Sequence, residues 1–224
     1  IAPRYDFLNR LLSLHQDTLW RTRMVSAATL EKNSAVLDVA CGTCDVAMEV
    51  NTALNGQARI VGLDFSMGML HLGQKKLKKT KLENICLVNG DALALPFSSG
   101  QFDAVFIAFG IRNIMNRQQA VTAFFDVLKP GGRLVVLELT TPEKKWLKWL
   151  YLLYFQKILP RIGSFLSTDK NAYTYLPESV LKFPSAAEFA NLMCRTGLTS
   201  IRYQQMSLGI VTLFIGTRPG LSAS

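Results

Sequence analysis

Apolar residues recur along this chain at two spacings, and the two spacings alternate. Short aliphatic and β-branched runs stand at AVLDVA (35–40), RIVGLD (59–64), ICLVNG (85–90), FDAVFIAF (102–109) and RLVVLEL (133–139). Between them, roughly at 45–54, 66–80 and 116–128, apolar positions fall at helical spacing among polar ones. The first four runs have the near-continuous apolar character of strands covered on both faces. The alternation predicts an α/β fold built on a doubly wound, mostly parallel sheet. Ahead of it, residues 4–31 predict helix, with Leu8, Leu11, Leu12, Leu14, Leu19 and Trp20 among polar neighbours. LKPGG (128–132) ends a helix and turns into the fifth strand. Residues 143–184 break the rhythm and read as an embedded helical cap. SAAEFANLMCRTG (185–197) is a helix closed by glycine, and SIRYQQMS and IVTLFIGT flank Leu208-Gly209 as a closing antiparallel hairpin. The expectation is one domain over 1–224, with N-terminal helices in 1–31 and the cap in 143–184.

Composition narrows the class. A chain of 224 residues that is 49% hydrophobic suits one sizeable core. It begins at Ile1, so targeting is not read from that end. No run of about 18 uncharged apolar residues predicts a membrane span. The net charge of +9 suits nucleic acid, an anionic membrane surface or an acidic ligand. Nucleic acid is disfavoured. The five lysines of KKLKKTK (75–81) lie on a predicted solvated helix face with no aromatic residue among them. Four cysteines make no disulfide framework, which points to a reducing cytoplasm. Cys86 and Cys194 sit in apolar surroundings and are expected to be buried thiols.

The chemistry concentrates at strand ends. Cys41-Gly42-Thr43-Cys44 follows the first strand as a C-x-x-C. As a zinc site it lacks further ligands, since the remaining cysteines are isolated and His15 and His71 lie in different segments. No metal is expected. As a redox pair it would place Cys44 near a helix N-terminus, which favours a thiolate. The sheet has another use for this turn, with both cysteines lining a ligand loop. Backbone N–H groups after the first parallel strand meet ligands at the sheet's C-terminal edge, and Gly42 permits close approach. Asp38, within the strand, is expected to order the loop through backbone hydrogen bonds. Asp64 ends the second strand, where a carboxylate accepts from both hydroxyls of a ribose. Asp91 and Ala92 follow the third strand, with Asp91 suited to an adenine amino group. G-x-G-x-x-G and G-x-x-x-x-G-K-[ST] are both absent, so the turn is poorly made for pyrophosphate. A nucleoside without phosphates, S-adenosylmethionine, fits better.

With these residues in hand, the chain resembles a class I S-adenosylmethionine-dependent methyltransferase with a Rossmann-like fold. More closely, it is similar to the ubiquinone/menaquinone biosynthesis C-methyltransferases. The likeness runs through RYDFLN (4–9), VLDVACGTCD (36–45), GLDFSMGML (62–70), GDALALPF (90–97), FGIRN (109–113), LKPGGRLVVLE (128–138), LPRIG (159–163) and AYTYLPES (172–179). It implies Thr43, Asp64, Asp91 and Ala92 as cofactor contacts. It departs at Cys44, where the family usually has a second loop glycine, and at Ala108, where serine is common.

The resemblance implies methyl transfer from a sulfonium to a ring carbon of a polyprenylated benzoquinol or naphthoquinol. Such a phenol titrates near ~10, so the site must take its proton or stabilise its anion. Arg112 and Asn113, just past the fourth strand, are the candidate catalytic residues, Arg112 for a phenolate oxygen and Asn113 to orient it. Their structural alternatives are an ion pair for Arg112 and a cap on the helix near 116 for Asn113. Glu138, at the end of the fifth strand, is a further candidate. WLKWLYLLYFQKILPRIG (146–163) is too short to span a bilayer and rich in Trp, Tyr, Leu and Phe. It predicts peripheral, reversible association with an anionic membrane, at its inner face, through Trp149 and Tyr151 among others. A homo-oligomer stays open. Two other functions also stay open at this point: methylation of another small molecule or RNA, and a non-catalytic nucleoside-binding module.

Overall fold

The computed structural model describes residues 16–153 and 178–220. Helix α1 (Gln16–Ala27) precedes the sheet. Strands and helices then alternate: β1 (Ala35–Val39), α2 (Asp45–Ala53), β2 (Arg59–Asp64), α3 (Met67–Thr80), β3 (Ile85–Asn89), β4 (Phe102–Ala108), α4 (Arg117–Val127) and β5 (Leu128–Leu139). A 3-10 turn over Ile111–Asn113 separates β4 from α4. The described part ends with α5 (Lys145–Leu153), α6 (Ala186–Arg195), β6 (Thr199–Met206) and β7 (Val211–Thr217). Most of the expected cap and residues 1–15, including RYDFLN, LPRIG and Tyr173, lie outside the described residues.

The seven strands lie in the order β3-β2-β1-β4-β5-β7-β6. The first five run parallel, and β7 pairs antiparallel with both β5 and β6. The chain winds outward from β1 to β3, then returns to start β4 beside β1. That reversal between β1 and β4 opens a crevice at the strands' C-terminal ends. The pleat sends alternate β1 residues to opposite faces. Val36 packs with Trp20, Met24, Val50 and Leu77 of the α1–α3 layer, while Leu37 and Val39 pack with Phe124 and Phe189 of the α4–α6 layer.

The doubly wound sheet and its closing hairpin follow the expectation, with β5 starting earlier. Leu128 pairs with Phe102, and the register shifts before Arg133 resumes opposite Ala104. The hairpin turns through Ser207–Gly209, with Ser207 and Leu208 at positive φ. Two expected burials fail. β3 is an edge strand with one uncovered side, which leaves Cys86 exposed. Cys194 is exposed on α6, whose Phe189 and Met193 face the core. All four cysteines are free thiols.

Candidate active site

The C-terminal ends of β1, β2, β3 and β4 surround a cleft of about 660 Å³. Its floor comes from the loop after β1. Ala40, Gly42 and Cys44 all adopt positive φ, so the chain coils tightly through three left-handed residues. Glycine eases the middle one, where a Cβ would be strained at φ +55 and would stand 3.3 Å from the Met69 methyl. The Gly42 amide donates to Asp64 Oδ2 at 2.8 Å, and the Ser66 amide donates to Oδ1 at 2.8 Å. Asp64 thus ties the β1 loop to the start of α3. Gly42, Thr43, Asp64, Asp91 and Ala92, the five expected cofactor residues, all line this one cleft. The Asp91 carboxylate accepts from the Leu93 amide at 2.9 Å and stays exposed.

Beneath the loop, the cysteines divide. Cys41 lines the cleft, whereas Cys44 is fully buried below it at the N-cap of α2, so the expectation that both line the loop is half right. A Cβ built on Gly73 would meet the Cys44 sulfur at 2.6 Å. Glycine at 73 is therefore what lets cysteine occupy 44. The hydrogen bond with Cys44, burial and the nearby Asp38 carboxyl all push the Cys41 thiol up, away from the reactive thiolate. Among the described residues no group of three or more His, Cys, Asp or Glu is placed to hold a metal ion.

Asp38 serves the helix rather than the loop. Its Oδ2 accepts from the Ala47 amide in the first turn of α2 at 3.2 Å. Burial pushes its carboxyl up to about 8, opposed by the Ala47 hydrogen bond and reinforced by the Asp64 and Asp45 carboxylates. Asp38 also lines the cleft.

Arg112 and Asn113 part company. Asn113 lines the cleft; Arg112 lies behind its wall. The Arg112 guanidinium donates to Glu138 Oε1 at 2.7 Å and to the Phe109 carbonyl, and its amide donates to Glu138 Oε2 at 3.1 Å. The ion-pair alternative for Arg112 is therefore present, with Glu138 fully buried as its partner. The cap of α4 is Asn116, which accepts from the Gln119 amide at 3.1 Å, and not Asn113.

The sequence reading missed several residues of the cleft wall. Phe65 directly follows the strand-end Asp64, lines the cleft and is 80% exposed. An aromatic residue just after a strand-end acid was the available signal. Arg21 of α1 and Asp45 of α2 also line the cleft. Lys76 leaves the solvated lysine face and turns inward, paired with Asp45 and 3.5 Å from Thr43 Oγ1. Nothing in the lysine run distinguished it, because its partner lies 31 residues away.

The cleft's charge is opposite to that of the whole chain. Among the described residues, three ionised carboxylates, Asp45, Asp64 and Asp91, line it together with the proton-holding Asp38, against one cation, Arg21. A nucleotide's phosphates would be repelled there, and a cationic ligand favoured.

The chain matches the ubiE/COQ5 methyltransferase family over residues 1–218. It is 44% identical over 219 residues to a "Ubiquinone/menaquinone biosynthesis C-methyltransferase UbiE" of Geobacter sulfurreducens, covering 97% of this chain and 85% of that protein. It is 43% identical to the "Demethylmenaquinone methyltransferase" of Thermus thermophilus, covering 98% of each. Among solved structures, an S-adenosylmethionine-dependent methyltransferase of Aquifex aeolicus superposes with a TM-score of 0.66 at 14% identity, over 88% of this chain and 89% of that one. That likeness extends the Rossmann-like methyltransferase fold to this sheet. With the cleft at the sheet's switch point and the match spanning nearly the whole sequence, the chain belongs to the ubiE/COQ5 methyltransferase family.

Proposed function

We propose that this protein methylates a ring carbon of a prenylated quinol, demethylmenaquinol or the benzoquinol of the ubiquinone pathway. The relatives' names carry the substrate class. The cofactor is S-adenosylmethionine, as the family implies. The observation that carries the reading is the acidic cleft in a chain of net charge +9. Its residues fit this cofactor: four acids, a glycine that leaves room at the loop, and an exposed aromatic face at Phe65. When bound, S-adenosylmethionine supplies a methyl group already activated by its sulfonium.

Asp64 accepts from the ribose hydroxyls. Each of its oxygens takes one backbone amide and keeps a second lone pair. Asp91 and Ala92 receive the adenine edge, and Gly42 and Thr43 border the sulfur end. On the β4 side the wall turns apolar, with Ala108, Phe109, Ile114 and Met115. Met115 is 97% exposed, an apolar rim open to a lipophilic ring and its tail. Asn113 stands within that wall and orients the quinol oxygen. Arg112 works through position, holding the 3-10 turn that carries Asn113 and placing a paired cation behind it. Among the described residues no helix is long and apolar enough to cross a membrane. Trp146 and Trp149 of α5, 60% and 63% exposed, are the surface we assign to reversible contact with anionic lipid. Tyr151 is buried and takes no part in it.

The deciding experiment incubates the protein with S-adenosylmethionine and reduced demethylmenaquinone, or the matching demethylated benzoquinol, and follows the ring by mass spectrometry. A mass gain of one methyl is expected, with Asn113→Ala lowering kcat more than cofactor affinity. Tight cofactor binding without transfer to any prenylated quinol overturns the reading. Liposome co-sedimentation of the Trp146→Glu/Trp149→Glu variant tests the membrane surface. Undiminished, salt-insensitive sedimentation refutes it.

A further inference from the structure

Helix α1 stands outside the strand–helix alternation, yet it is fixed against the cleft. Trp20 Nε1 donates to Ser207 Oγ at 3.0 Å, and its ring meets Phe109 edge-on at 6.2 Å. Thr22 donates to Glu49 of α2 at 2.7 Å, and Arg133 of β5 donates to the Ala27 carbonyl at 3.0 Å. These four ties set the rotation of α1 about its axis. That rotation sends Arg21 into the cleft, where its side chain is only 12% exposed.

There Arg21 belongs to a line of alternating charge. Its guanidinium donates to Asp17 Oδ2 at 2.8 Å and stands 3.6 Å from Asp45 Oδ2. Lys76 pairs with Asp45 from the far side. The order is Asp17, Arg21, Asp45, Lys76, contributed by α1, α2 and α3. Along this line two anions face two cations, an alternation that matches the paired charges of a zwitterion. Arg21 faces Asp45 too loosely for a full hydrogen bond, and a guanidinium has five N–H donors in a fork matched to a carboxylate. The line adjoins the β1 loop, with Lys76 3.5 Å from Thr43 Oγ1, whereas Asp91 follows the edge strand β3.

From this we infer that Arg21 and its charge line are the receptor for the amino-acid end of the cofactor, with Arg21 taking the carboxylate and Asp45 the ammonium. The assignment rests on the cofactor reading above and follows from direction. Asp91 and Asp64, at β3 and β2, take the base and ribose. A ligand laid across the sheet in strand order β3-β2-β1 then delivers its far end to Asp38, Asp45 and Arg21. A helix outside the βα alternation thereby completes the cofactor site.

Calorimetry with ligands that differ only at that end tests this. S-adenosylhomocysteine carries both charged groups, its decarboxylated analogue keeps only the ammonium, and 5′-methylthioadenosine has neither. In the wild type, S-adenosylhomocysteine should bind at least tenfold more tightly than the decarboxylated analogue. Arg21→Gln should erase that difference, Arg21→Lys should restore part of it, and methylthioadenosine should bind all three proteins within about twofold. Equal weakening of every ligand by Arg21→Gln would make Arg21 a structural tether and overturn the inference. So would equal wild-type affinity for the two amino-bearing ligands, a result that needs no variant to fold. If the wild type fails to bind S-adenosylhomocysteine at all, the cofactor reading itself falls. A flat ligand series with tight binding sinks only the role of Arg21.

Discussion

Asp38 at the end of β1 and Glu138 at the end of β5 are both buried carboxyl groups on central strands, and they are held in opposite ways. Glu138 receives three N–H donors: the Arg112 guanidinium, the Arg112 amide and the Leu139 amide at 2.8 Å. It is sealed behind the cleft wall with its countercharge. Asp38 takes the Ala47 amide at 3.2 Å, borders the cleft, and is pushed up to about 8 by burial. Removing one member of a sealed pair strands a charge in low dielectric. A lone buried carboxyl avoids that cost by holding its proton. The Arg112–Glu138 pair behind the β4 wall is therefore architecture, while the β1–β3 side presents groups whose state responds to what enters.

Breaking the sealed side should have the largest effect. Glu138→Gln leaves the Arg112 guanidinium without its counterion and should cost about 3–5 kcal/mol of stability, read as a lower urea midpoint. A loss below about 1 kcal/mol would erase the contrast. On the open side the penalty should fall on binding. Asp64→Ala removes a charged acceptor and should weaken S-adenosylmethionine by about 1.5–3 kcal/mol, roughly 10- to 150-fold, in a protein that still melts cooperatively. Unchanged affinity by calorimetry would remove Asp64 from the site.

The floor of the open side offers a sharper comparison. Gly73→Ala drives a methyl into the Cys44 sulfur and should destabilise by about 1–3 kcal/mol. In a Cys44→Gly background the sulfur clash is gone and only the Gly42 carbonyl at 3.3 Å stays tight, so the same change should cost much less, with alanine's better helix propensity of about 1 kcal/mol as an offset. Additive effects in that cycle would mean the two positions are not in contact.

The smallest effect, taken over a single pH unit, is graded by pH. Folded Asp38 keeps its proton up to about 8, while in the unfolded chain it ionises near 3.8. Between those values the folded state binds the extra proton. Its contribution to stability is therefore complete below the unfolded value, and falls by about 1.4 kcal/mol per pH unit until it is lost above about 8. Urea titrations at pH 6 and pH 7 should show this decline in the wild type and lose it in Asp38→Asn. An identical slope in the variant would assign the dependence to other groups.

The fold was legible because its signals are local. Runs such as AVLDVA and RIVGLD announce strands by composition alone, and the strand–helix alternation leaves few topologies. Asp64 and Asp91 were legible for the same reason: a parallel strand's C-terminal end is a fixed address, so a residue type at that address carries meaning. Cys86 was misjudged because a strand's place within the sheet, edge or centre, is not written in the strand.

What the sequence determined by itself was the order of the elements, the strand-end placement of Gly42, Thr43, Asp64, Asp91 and Ala92, and the kind of ligand such a set suits. Only the tertiary structure decided which charges meet. It put Arg112 against Glu138 26 residues away, turned Lys76 out of a uniform lysine face toward Asp45, and brought Arg21 of an outlying helix to the cleft. Backbone geometry follows from neighbours a few residues apart, whereas an ion pair forms between groups that packing brings within about 4 Å, whatever their separation along the chain.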